Sequence, residues 1–308
     1  MGDPLLFSYA SADDPALRRI AITTIERFTG QPRLKRMYLE NQRRPRLGES
    51  FWDAAVRQLA LRVDYDEARL RAIPAVGPVV IVANHPFGVL DGIVISYLVA
   101  KVRTDFKVLT NSVLCRAIEL QPYLLPIDFA QTQSALTTNL RSRADALSWL
   151  CGGGALVAFP GGAVATSEHP FARHAVDPEW KLFAAKAITR AQATVVPMFF
   201  EGQNSRLFQL ASHLSLTLRQ SLLFNEVRNK IGGVVAVRVG TPVPYAQLSH
   251  IADRKALAEY LRGATYELGG VNGFAVPCSV PIALWERSDL IRTARRRLAK
   301  RLRWRKRS

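Results

Sequence analysis

The run Val79-Val80-Ile81-Val82-Ala83 is apolar, largely β-branched and of strand length, and it stops at Asn84-His85-Pro86. Closed by a proline and then by Gly88, it reads as a strand followed by a turn and a new apolar segment. A residue before proline is pushed toward extended backbone, so His85 is expected at the tip of the strand. Gly88 lets the loop fold back tightly, which would bring Asp91 to the imidazole. A carboxylate on one ring nitrogen leaves the other free as a base. This is the His/Asp half of a triad without a nucleophile, as needed when the attacking hydroxyl or amine belongs to the substrate. The plainer reading of the same residues is a structural histidine, with an aspartate capping the helix-like segment from Ile93 to Ala100.

Strand-like and helix-like segments alternate through the rest of the chain. Strands are expected at Asp105 to Thr110, Leu124 to Ile127, Ala155 to Ala158, Thr194 to Phe200 and Val234 to Val239. Helices are expected at Ile93 to Lys101, Leu140 to Leu150, Trp180 to Gln192 and Gln247 to Leu268. That alternation predicts an α/β class. The uncharged run from Ala146 to Ser167 is long enough to consider for membrane crossing, but Gly152-Gly153-Gly154 and Pro160-Gly161-Gly162 interrupt any continuous helix. These glycines lack a Gly-x4-Gly-Lys-Ser/Thr pattern and read as turns. Upstream, residues 1–50 are polar and basic, with one short helix expected before Gly30 and Pro32. Phe51 to Leu61 reads as an amphipathic helix headed by Phe51 and Trp52, which suits either core packing or membrane contact.

Asn84 to Gly92 resembles the first block of the glycerolipid acyltransferases, whose pattern is Asn-His-x4-Asp; here five residues separate His85 from Asp91. The longer Asn-His-Pro-Phe-Gly form is similar to the haemolysin-like branch, which includes lyso-ornithine lipid acyltransferases. Phe159-Pro160-Gly161-Gly162 resembles the family's Phe-Pro-Glu-Gly block, and Val195 to Met198 its final block, continued by Phe200 to Ser205. The resemblance spans about residues 75–240, in the family's order. It implies a mixed, mainly parallel sheet flanked by helices, with His85 and Asp91 catalytic. It also implies substrate contacts at Asn84, Phe87, Gly88, Phe159, Pro160, Gly161, Gly162, Asn204 and Arg206, with loop amides at 160–162 bordering the developing oxyanion. The implied reaction moves a fatty acyl group from an acyl carrier protein or coenzyme A thioester to a lipid hydroxyl, with no cofactor and no metal. Two departures bear on the acceptor. Gly161 stands where the family has Glu, and no arginine follows Ile127-Asp128 at once, Arg141 and Arg143 coming later. A large membrane lyso-lipid is therefore the expected acceptor, rather than glycerol 3-phosphate.

Forty-two basic residues against 25 acidic ones leave a formal charge of +17, which points to an anionic partner, a membrane face or nucleic acid. Ten of the basic residues fall from Arg292 onward, around an apolar stripe of Ile291, Ala294, Leu298 and Leu302. That tail suits an amphipathic helix on an anionic bilayer, or a disordered basic tail. Cys115, Cys151 and Cys278 show no metal-ligand spacing, and the start lacks a signal-peptide pattern, so a reducing cytoplasmic setting is expected. Together these place the protein peripherally on the cytoplasmic face of the inner membrane, with no specific nucleic acid. His169, His174, His213 and His250 lack comparable surroundings and read as structural or surface residues. Three parts are expected: a basic helical segment at 1–74, an α/β domain at 75–270 and a basic tail at 271–308. Two other functions fit the same residues, acylation of an amine and a non-catalytic binding protein using the basic tail.

Overall fold

The computed structural model describes residues 8–10, 15–130, 132–168 and 175–271. The elements run α1 (Ala16–Phe28), α2 (Gln31–Arg43), α3 (Phe51–Gln58), β1 (Arg62–Asp64), α4 (Glu67–Arg71), β2 (Val79–Ala83) and α5 (Val89–Ala100). Then come β3 (Phe106–Asn111), β4 (Leu124–Ile127), α6 (Gln133–Cys151), β5 (Ala155–Ala158) and the short antiparallel pair β6 (Thr166–Ser167) and β7 (Ala175–Val176). The chain continues with α7 (Phe183–Ala191), β8 (Thr194–Phe200), α8 (Arg206–Leu214), α9 (Leu216–Ser221), α10 (Leu223–Asn229), β9 (Val234–Val239) and α11 (Arg254–Leu268).

Seven strands form one sheet in the order β1-β9-β8-β2-β5-β3-β4. β8, β2, β5, β3 and β4 are mutually parallel, while β9 pairs antiparallel with β8 and parallel with β1. The sheet is thus mixed and mainly parallel, as expected. All five residues of β2 are buried, because β8 and β5 flank it and helices cover both faces. Pro197 lies within β8 in register with Val82 of β2, and its carbonyl takes the Gly240 N–H. Trp52, Leu98, Phe106 and Phe200 belong to the core built on this sheet. Trp52 meets Phe106 and Tyr123 with ring centroids 6.3 and 5.7 Å apart, so the aromatic head of α3 serves the core.

Local reading misplaced several elements. The short helix expected before Gly30 is α1, but α2, unread in the sequence, follows it with Pro32 in its first turn, where a proline's missing N–H costs nothing. α5 begins at Val89, and Thr132 caps an α6 longer than expected, its side chain accepting from Ala135 N–H. α7 starts at Phe183, three residues later than expected, and just before it the Lys181 N–H is bonded to the Pro160 carbonyl. β9 does not close the sheet: β1, unread in the sequence, pairs outside it and carries the 1–74 segment into the sheet. The apolar stripe and basic residues from Ile291 onward, with His169 and His174, lie outside the described residues.

Candidate active site

β2 ends on Ala83, and the next two residues are held in place by the ends of other elements. The Asn84 amide donates to the Phe200 carbonyl and accepts from the Phe200 N–H, tying the tip of β2 to the tip of β8. The His85 N–H donates to Asp177 Oδ1 at 3.0 Å, and its carbonyl accepts from the Ala165 N–H at 2.7 Å. The imidazole lies against Phe159 with centroids 4.3 Å apart, and its side chain keeps 19% of its surface exposed.

Asp91 is the third residue of α5 and is fully buried. Its Oδ2 accepts the Phe87 and Gly88 N–H groups at 2.8 and 2.9 Å and lies 3.0 Å from His85 Nδ1. The ring contact is close, although His85 Nδ1 makes no hydrogen bond that meets strict geometry among the described residues. Burial raises the Asp91 pKa, opposed by His85 and the two amides. Gly88 turns the chain at φ +80°, where a Cβ would stand 2.8 Å from Leu223. That turn starts the helix at Val89, so Asp91 reaches back to the loop amides and the ring together.

His85 opens on a cleft of about 940 Å³ at the carboxyl ends of the parallel strands, the usual ligand edge of such sheets. Arg143, Lys181, Lys186, Arg219 and Arg254 line it, with Asp128 the one acid among the described lining residues. Phe129, Leu140 and Leu182 line it too while remaining about half exposed, at 54, 58 and 47%, which sets them at its mouth. A second, apolar cavity of about 110 Å³ lies behind, between α2, α3 and α5, and shares Val89, Gly92, Thr110 and Leu114 with the cleft.

Of the residues singled out in the sequence, His85, Gly88, Phe159, Pro160 and Gly162 line the cleft. Asn84, Phe87 and Gly161 are buried off its wall: Asn84 is spent on Phe200, and Phe87 packs under Gly202. Asn204 is buried and Arg206 is exposed at the head of α8, neither on the cleft. Loop amides for an oxyanion are also fewer than expected, because Pro160 has no N–H and the Gly162 N–H closes a turn on the Phe159 carbonyl. Of the two late arginines, Arg143 lines the cleft, while Arg141 is exposed near Asp145.

Sequence reasoning missed Asp177. It follows β7, is 3% exposed, and also accepts the Trp180 indole N–H through Oδ2 at 3.0 Å. Burial pushes its pKa up to about 6, against the His85 and Trp180 N–H donors and with some help from Asp91. No local signal marks it, since its partner lies 92 residues away.

Comparison with known proteins bears on this geometry. Two relatives are named lyso-glycine lipid O-acyltransferase. The one from Phocaeicola vulgatus is 23% identical over 258 residues, covering 81% of this chain and 88% of that protein. The one from Bacteroides thetaiotaomicron is 25% identical over 237 residues, covering 74% and 83%. The 1-acyl-sn-glycerophosphate (LPA) acyltransferase from Thermotoga maritima superposes over 86% of each chain, with a TM-score of 0.45 and 14% identity. A family model described as Acyltransferase matches residues 36–272. That match takes in the sheet, His85, Asp91 and all of the cleft lining but Tyr9, and the chain belongs to this acyltransferase family, an enzyme of acyl transfer.

Proposed function

We propose that this enzyme moves a fatty acyl group from an acyl carrier protein or coenzyme A thioester to the hydroxyl of a membrane lyso-lipid, with His85 as general base and Asp91 orienting it. The observation that carries this reading is the His85 ring on the cleft wall, 3.0 Å from a fully buried carboxylate. The nitrogen remote from Asp91, Nε2, takes the proton of the acceptor hydroxyl as its oxygen attacks the thioester carbonyl. The C–S bond breaks on collapse of the tetrahedral intermediate, and the departing thiolate takes the proton back from the imidazolium. No acyl-enzyme is needed, because the cleft holds both reactants.

The apolar cavity beside the cleft supports an acyl chain entering past Val89 and Gly92. The five cations in the cleft suit an acidic head group or the phosphate of the donor's pantetheine arm. Both relatives' names give a lyso-lipid acceptor and an O-acyl product, and we extend that class to this chain. No helix among the described residues is long and apolar enough to cross a membrane. We place the enzyme on an anionic membrane surface, on the cytoplasmic face, where the half-exposed apolar mouth of the cleft meets lipid.

The test is an acylation assay with purified protein, lyso-glycine lipid and lysophosphatidate as acceptors, and acyl carrier protein or coenzyme A donors, read by mass spectrometry. One acceptor is expected to gain an ester-linked chain. His85→Ala and Asp91→Ala are expected to lower kcat by about 10²- to 10⁴-fold while staying folded. A folded His85→Ala protein of unchanged activity refutes the general-base reading, and an amide product refutes the hydroxyl acceptor.

A further inference from the structure

Asp177 belongs neither to the cleft wall nor to the His/Asp pair, yet its carboxylate is bonded to the backbone of the residue on which the proposed chemistry depends. Oδ1 takes the His85 N–H at 3.0 Å and Oδ2 the Trp180 indole N–H at 3.0 Å, so both oxygens are engaged. Its own backbone is pinned as well: the Asp177 N–H donates to the Tyr266 hydroxyl at 2.7 Å, and its carbonyl accepts from Arg262 at 2.6 Å, both on α11. A carboxylate so held is a fixed acceptor, and it reaches His85 from a segment remote in the chain.

Gly161 completes the arrangement. A Cβ built there would lie 3.0 Å from Asp177 Cβ, 3.2 Å from Cγ and 3.3 Å from Oδ2. The bare α-carbon therefore leaves room for the Asp177 carboxyl.

We propose that Asp177 is a positioning residue for His85: it fixes the backbone from which the imidazole projects, and Gly161 is glycine so that the carboxyl can sit there. The inference rests on His85 being the general base. Asp177 touches no substrate in this scheme, since it does not line the cleft. Its loss should let the ring wander relative to the acceptor hydroxyl and the thioester, which slows the chemical step and leaves substrate binding intact.

The experiment compares kcat and KM of wild type, Asp177→Ala, Asp177→Asn, Gly161→Ala and the Gly161→Ala/Asp177→Ala double variant, with His85→Ala as control. Thermal melts establish which variants fold. Asp177→Ala is expected to lose about tenfold to hundredfold in kcat, with KM for donor and acceptor within about twofold. Asp177→Asn keeps an oxygen for the His85 N–H but turns an amide toward Trp180, so it should fall between wild type and Asp177→Ala. It also serves as the test variant if Asp177→Ala does not fold. Gly161→Ala acts by crowding the carboxyl, so its loss should nearly vanish on the Asp177→Ala background. Folded Asp177 variants with kcat unchanged, or with the loss in KM alone, overturn the role of Asp177 while His85→Ala still tests the base separately. Fully additive losses in the double variant overturn the role given to Gly161.

Discussion

Asp91 puts one carboxylate oxygen to three uses, two loop amides and the His85 ring, and leaves Oδ1 buried without a hydrogen-bond partner. Asp177, another buried acid, satisfies both its oxygens, yet burial still pushes its pKa up to about 6. The sign of its stability effect follows. A carboxyl whose folded pKa is raised favours the fold in its protonated form, so that contribution is present below the unfolded value and is lost as pH climbs through the folded one. For Asp177 the window runs from about pH 4 to just past pH 6, and the full swing is roughly 3 kcal/mol. Asp177→Asn removes the titration while keeping the shape. Measured by urea unfolding, the stability of this variant relative to wild type should be about 2 kcal/mol more favourable at about pH 7 than at about pH 4.5. A difference that does not change with pH would show that the carboxyl does not titrate in this way.

The helix following the histidine loop carries the second site feature. α5 starts at Val89, directly after Gly88, and so presents Asp91 inward toward the loop and Gly92 to both the cleft and the apolar cavity. A Cβ at Gly92 would meet nothing within 4 Å, so Gly92→Ala should be tolerated and should add about 1 kcal/mol of helix preference. Gly92→Val fills the passage. In the proposed enzyme it should lower activity with long-chain donors far more than with short-chain ones, measured as kcat/KM across a donor series. Equal losses at every chain length would remove the acyl chain from the cavity.

At the scale of the molecule, charge and exposed apolar surface meet at the mouth of the cleft. Cations dominate the cleft, and Phe129, Leu140 and Leu182 stand half exposed around it, with Leu136 one helical turn before Leu140 and 50% exposed. Single exposed apolar residues are ordinary, but a group at the mouth of a cationic cleft is a surface for an anionic bilayer. Binding to phosphatidylglycerol vesicles should weaken several-fold on Leu136→Gln/Leu140→Gln substitution and fall with added salt, as read by co-sedimentation. Unaltered binding of the folded variant would move the contact to another surface, the basic tail being the next to test by truncation.

The nearness of His85 and Asp91 was legible from residue order, because it depends on short-range rules: a strand that stops, a proline that holds its predecessor extended and a glycine that turns the chain; the helix start at Val89, two residues before the acid, was not, since the helix was expected only from Ile93. The alternation of strands and helices, and with it the α/β class, was legible for the same reason of local periodicity. Tertiary structure alone decided the strand order, the edge strand β1 and the cationic cleft wall drawn from α6, α7, α9 and α11. It also decided the bond from Asp177 to His85. Those depend on which remote segments pack together, and neither the spacing of residues along the chain nor their individual preferences specifies that.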